Sequence, residues 1–118
     1  MTDPTHTGHR IINGTPVVPV SGRIDASTAA DLEQELASAV RDGASSVVVD
    51  MTDLDYISSS GLRVLLAAKK NLSRGGGTLK IAAMKPFVRE VFEISGFLRI
   101  FPVYPGVDEA LQEKGTGE

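Results

Sequence analysis

Apolar residues change their spacing several times along this chain, and each change marks an element. Ile11-Ile12 and Val17 to Val20 flank the turn pair Asn13-Gly14, which predicts a β-hairpin. Pro16 and Pro19 withhold backbone donors, so the second strand is expected at a sheet edge. From Ser27 to Asp42 the spacing becomes helical, with Ala29, Leu32, Leu36 and Val40 on one face. Thr28 and Asp31 have the spacing of a capping box, and Gly43 is a natural stop. Val47-Val48-Val49 is an unbroken β-branched run, as expected of a central parallel strand covered on both faces.

Asp50 to Tyr56 reads as an acidic loop, and Ser58-Ser59-Ser60 leads into a second helix from Gly61 to Leu72 carrying Leu62, Leu65, Leu66 and Ala68. Gly75-Gly76-Gly77 ends it. Thr78 to Ala83 alternates as a strand. Pro86 opens a third helix with Val88, Val91, Phe92 and Ser95 inward and Arg89, Glu90 and Glu93 outward, closed by Gly96. A last strand around Arg99 to Val103 and a short helix from Val107 to Glu113 complete the order ββαβαβαβα. Alternating strands and helices connect by right-handed crossovers, so the expected fold is α/β: a mostly parallel sheet of about five strands with an N-terminal antiparallel hairpin and about four helices. The expected domain runs over 9–113, between a polar N-terminal tail, 1–8, and a Gly-rich C-terminal tail, 114–118.

Length and composition narrow the function. A chain of 118 residues with 42% hydrophobic content suffices for one core and leaves no room for a second domain. Cysteine is absent, which removes disulfides, thiol nucleophiles and thiolate metal sites. The net charge of −3 arises from interleaved acids and bases, and no basic block with aromatics suggests direct nucleic-acid binding. No run approaches the roughly 18 apolar residues of a membrane helix, and Met1 to Arg10 lacks a signal-peptide core, so a cytoplasmic protein without membrane insertion is expected.

Candidate chemistry gathers where open α/β sheets place it, beyond the carboxyl ends of the strands. Ser58, Ser59 and Ser60 precede a helix whose unpaired N–H groups and dipole favour an anion, a phosphate for example; one of them is equally read as a plain N-cap. Asp25 ends the segment Gly22-Arg23-Ile24-Asp25 and reads either as a cap of the first helix or as a residue facing the serine loop. Asp50, Asp53 and Asp55 are candidate metal ligands or phosphoacceptors, or simply solvated acids, and no His or Cys accompanies them. Serine hydrolysis needs a base, and His6 and His9 lie in the expected tail. The triple glycine follows a helix and precedes a strand, the reverse of a phosphate cradle. No enzyme, cofactor or metal is implied.

The segment Asp50-Met51-Thr52-Asp53-Leu54-Asp55-Tyr56-Ile57-Ser58-Ser59-Ser60-Gly61-Leu62 resembles the strand, loop and phosphorylatable-serine signature of the STAS domain, the fold of bacterial anti-sigma-factor antagonists. Gly22-Arg23-Ile24-Asp25 is similar to the family's Gly-x-Leu-Asp turn, and Ile94-Ser95-Gly96-Phe97 to its Ser-Gly-Leu helix end; the likeness runs from about Gly22 to Leu111. The resemblance implies that Ser59, two places before Gly61, is the phosphorylated residue. It further implies that the unmodified domain binds an anti-sigma factor, typically a GHKL-type serine kinase, and so releases a sigma factor for transcription. A PP2C-type phosphatase would restore the unmodified form. The implied contact surface comprises Asp25, Asp55, Ser58, Ser59, Ser60, Gly61, the outward Arg63 and Lys85. One departure stands out: Ser58 occupies the position that is acidic in the classical sigma-regulating members. The same resemblance admits a STAS subunit of a stress-signalling scaffold or of a lipid-transport ATPase complex. A receiver-like phosphoacceptor at Asp50 is disfavoured, because Asp25 stands without the second acid such a site requires.

Overall fold

The computed structural model describes residues 9–41 and 45–112. The expected tails 1–8 and 114–118, the stop at Gly43, and Asp42 and Glu113 lie outside the described residues. Asn13 and Gly14, with φ of 53° and 82°, form the left-handed turn that their sequence predicts. They join β1 (Arg10–Ile12) to β2 (Thr15–Ile24). There follow α1 (Ala29–Arg41), β3 (Ser46–Ile57), α2 (Ser59–Arg74), β4 (Thr78–Ala82), α3 (Pro86–Ser95), a 3-10 turn over Phe97–Arg99, β5 (Val103–Tyr104) and α4 (Val107–Gln112). The strands lie in the order β1-β2-β3-β4-β5, antiparallel at β1/β2 and parallel elsewhere, so the expected architecture holds.

The β-branched strands bury both faces. On one face Val18, Val20, Val49, Met51, Leu54, Leu79 and Ile81 meet the apolar stripes of α1, α2 and α3. On the other, Val17, Val48 and Ala82 meet Ala110 of α4. Lys80, on β4, is buried beneath α4, where its Nζ donates to the Ala110 carbonyl at 2.9 Å, near the negative end of that helix. Phe92, Phe97 and Phe101 pack with ring centroids 5.8 to 6.2 Å apart and close the α3 end of the core.

Several expectations are corrected. β2 is not an edge strand, because β1 lies outside it; yet β1 pairs only with Thr15, Pro16 and Val17, so among the described residues Val18 to Ile24 have β3 as their single neighbour. Pro19 thus falls in the half-open part of the strand, next to a register shift, where its missing donor is tolerated. Asp50 to Tyr56 is not a loop but the second half of β3. Its pairing with β2 shifts by one residue between Asp50 and Asp53 and again between Leu54 and Tyr56. Each bulge inserts one residue in β3, so Met51, Leu54 and Ile57 keep the core face at a spacing of three instead of two.

The capping box is not formed. The Thr28 hydroxyl instead accepts from the Asp25 N–H at 2.9 Å and donates to the Arg23 carbonyl at 2.9 Å. Ser95 is exposed, its hydroxyl donating back to the Phe92 carbonyl at 3.2 Å, and does not belong to the inward face of α3. The strand expected over Arg99 to Val103 shrinks to Val103–Tyr104, since the burial of Phe101 against Phe92 and Phe97 draws the preceding residues into a 3-10 turn.

Candidate functional site

β3 runs beyond the end of β4, which stops opposite Asp50, and carries Ser58 to the carboxyl edge of the sheet. There the Ser58 N–H donates to the Ile24 carbonyl at 2.8 Å and ties the start of α2 to the end of β2. Gly61 tightens the junction. A Cβ at this position would lie 2.6 Å from Cγ2 of Ile24 and 2.8 Å from Cγ1 of Ile57, so only glycine lets the first turn of α2 rest on both strand ends.

Ser58 is the N-cap by backbone, extended at φ −95° and ψ 176°, and its carbonyl accepts the first helical bond from Leu62 at 3.0 Å. Its side chain does not cap. The Ser58 hydroxyl is buried and finds no hydrogen-bond partner among the described residues. Ser59 is the first residue of the helix and is exposed; Ser60 is half-buried. The first turn contains no acidic side chain, so nothing within α2 itself offsets the positive end of its dipole. Arg63 is exposed one helical turn beyond Ser59, on the same side of α2. A dianion on Ser59 would therefore meet backbone donors and a guanidinium within its own helix.

Asp25 borders this edge as the residue after Ile24, and its carboxylate is occupied locally. Oδ1 accepts from the Ser27 hydroxyl at 2.7 Å and the Ser27 N–H at 3.0 Å, while the Asp25 carbonyl receives the N–H groups of Thr28 and Ala29. These bonds, the Ser27 hydroxyl foremost, hold its pKa below the ordinary carboxylate value, and Arg23 adds to the effect. The carboxylate organises the turn into α1 and carries a fixed negative charge beside the serines.

Asp55, the residue inserted at the second bulge, is turned out of the core and meets Lys85 across the gap left by β4, Oδ1 to Nζ at 2.6 Å. Both side chains are largely exposed, so the pair orients the start of α3 rather than stabilising the fold. Asp50 spends its Oδ1 on the Thr52 N–H and hydroxyl, at 3.0 and 2.6 Å, at the first bulge. Among the described residues no group of three His, Cys, Asp or Glu side chains could hold a metal ion. His9 lies 3.6 Å from Glu35 of α1.

A further contact, like the Asp55–Lys85 pair, escaped the sequence reading. The Arg23 guanidinium stacks 4.3 Å above the Tyr56 ring, placing a cation and an aromatic beside the serine edge. The two residues are opposite each other only because both bulges precede Tyr56, a registration that no local signal encodes.

With this geometry in view, the likeness to known proteins is consistent. A model of the STAS domain matches residues 9–110. The chain is 50% identical over 92 residues, 78% of its length and 79% of the relative's, to a putative anti-sigma factor antagonist, BtrV, of Bordetella bronchiseptica. It superposes on the crystal structure of an anti-sigma factor antagonist from Mycobacterium paratuberculosis with a TM-score of 0.82 at 33% identity, covering 94% of this chain and 96% of the other. The anti-sigma factor antagonist SpoIIAA in its unphosphorylated form shares the fold, with a TM-score of 0.78 at 20% identity, over 93% of this chain and 97% of that one. These relatives bear the names of regulatory binding proteins. Family match, half-identity over most of the length and superposition agree: the chain belongs to the STAS domain family.

Proposed function

We propose that this protein is an anti-sigma factor antagonist whose unmodified form binds an anti-sigma factor at the carboxyl edge of the sheet, and whose phosphorylation on Ser59 ends that contact. The observation that carries the proposal is the position of Ser59: exposed, at the first residue of a helix anchored by Gly61 and by the Ser58–Ile24 bond, with no acid in the first turn. A kinase can reach such a hydroxyl. The phosphate adds about −1.5 to −2 charges at pH 7, which the helix end and Arg63 accommodate. A partner surface shaped to a neutral hydroxyl does not, because it has neither the room nor the donors for a desolvated dianion.

The partner fitting this scheme is a GHKL-type serine kinase that acts as anti-sigma factor and phosphorylates the domain that binds it. A PP2C-type phosphatase would reset the cycle, and sigma-dependent transcription is the output. The names of the relatives support the antagonist role.

The test compares Ser59→Ala and Ser59→Glu for binding to the kinase by calorimetry, with the phosphosite mapped by mass spectrometry after incubation with kinase and ATP. Ser59→Ala should bind like the unmodified protein and resist phosphorylation; Ser59→Glu should bind at least about tenfold more weakly. Phosphate on another residue, or equal binding by both variants, refutes the assignment. Recovery of transporter or scaffold subunits as the bound partner would move the domain to the other STAS role.

A further inference from the structure

α3 carries more apolar surface than the core covers. Val88 and Phe92 are fully buried, whereas Phe87 and Ile94 are 55% and 80% exposed. With half-buried Val91 between them they follow the i, i+4, i+7 spacing, forming a single stripe about 10 Å long beside the buried face. Three aligned apolar positions are a patch, not scattered surface residues.

The stripe begins two residues after Lys85, which the 2.6 Å contact to Asp55 fixes at the serine-bearing edge of the sheet. Its first residue thus lies near the sheet edge that carries Ser59. That edge alone offers a few small side chains, while a specific protein contact removes about 800 Å² per partner from water and centres on large apolar or aromatic anchors. Phe87 and Ile94 are exposed apolar side chains on the helix that starts at this edge.

The rim decides the occupant. Glu90 borders the stripe on its solvent side and is exposed. If a second copy docked by antiparallel α3 packing, the two-fold axis would pass between positions 90 and 91 and bring the two Glu90 carboxylates together. We infer that the Phe87–Val91–Ile94 stripe is the apolar half of the anti-sigma-factor contact surface, and that it receives a partner patch with an apolar centre and a Lys or Arg rim. This inference rests on the reading of Ser59 given above and extends it.

The probe is the purified anti-sigma factor that binds the Ser59→Ala chain. Ile94→Lys and Phe87→Ala should each weaken its binding about tenfold or more, and Glu90→Lys should slow association and flatten its salt dependence. Thermal melts should be unchanged for Ile94→Lys, since the side chain is four-fifths exposed. Affinity within twofold of wild type for both Ile94→Lys and Phe87→Ala, with Ser59→Glu still defective, overturns the stripe and leaves the Ser59 reading intact. Equal binding by Ser59→Ala and Ser59→Glu instead refutes the Ser59 reading and the stripe with it. Light scattering of the isolated chain should give a monomer; a dimer dissolved by Ile94→Lys would assign the stripe to a second copy and overturn the inference.

Discussion

Gly61 and Ile24 meet so closely that a single methyl group on the glycine would lie 2.6 Å from the isoleucine's Cγ2. Ile24 is β-branched and ends a strand, so it cannot swing aside as a lysine tip would. The contact couples the first turn of α2 to β2, and with it the orientation of Ser59.

Gly61→Ala should therefore destabilise the domain by about 1–3 kcal/mol, the usual range for overpacking. Denaturant melts would measure it. A loss smaller than about 0.5 kcal/mol would show that α2 can lift from the strand ends freely.

Ser58→Ala should behave unlike an ordinary N-cap replacement. Removing a capping serine costs typically about 1 kcal/mol. Here the hydroxyl makes no capping bond and is buried without a partner among the described residues, so its removal should be neutral or slightly stabilising. A loss of about 1 kcal/mol in a denaturant titration would mean that the hydroxyl caps the helix in solution.

Phe92→Ala should cost about 3–5 kcal/mol, because the ring is fully buried and edge-on to both Phe97 and Phe101. Unfolding monitored by circular dichroism checks this. Lys85→Ala, by contrast, removes an exposed ion pair and should change stability by less than about 1 kcal/mol.

Asp25 makes stability depend on pH in a definite direction. Its folded-state pKa is held below the ordinary carboxylate value, so the stabilisation is present above the unfolded value and is lost as pH falls through the folded one. Asp25→Asn keeps a side-chain oxygen for Ser27 and removes the titration. The advantage of wild type over this variant should shrink on acidification below the normal carboxylate range. An advantage that grew instead would reverse the sign of the assignment.

Where structure follows from local chemistry, the sequence was legible. The Asn13-Gly14 turn, the helical spacing of α1 and α2 and the β-branched Val47 to Val49 each form the element they predict, and the alternation after the hairpin leads to the parallel pairing of β2 to β5. What escaped depends on distant partners. Met51, Leu54 and Ile57 are three apart, a spacing that suggests no strand until the two bulges against β2 are seen. Asp53 and Asp55 looked like loop acids for the same reason. Thr28 matched a capping box, but its hydroxyl is drawn to the Arg23 carbonyl and the Asp25 N–H as the chain leaves β2. In the candidate site, Ser59 and Lys85 were read from motif and position. The Asp55–Lys85 and Arg23–Tyr56 contacts required knowing where β4 stops and how far β3 continues.

That continuation has a mechanical result. Past Asp50, β3 projects like a cantilever beam, hydrogen-bonded along one side to β2 and bordered on the other by Lys85 of the α3 start in place of a strand. Amide exchange should accordingly be faster over Thr52 to Tyr56 than over Val47 to Val49.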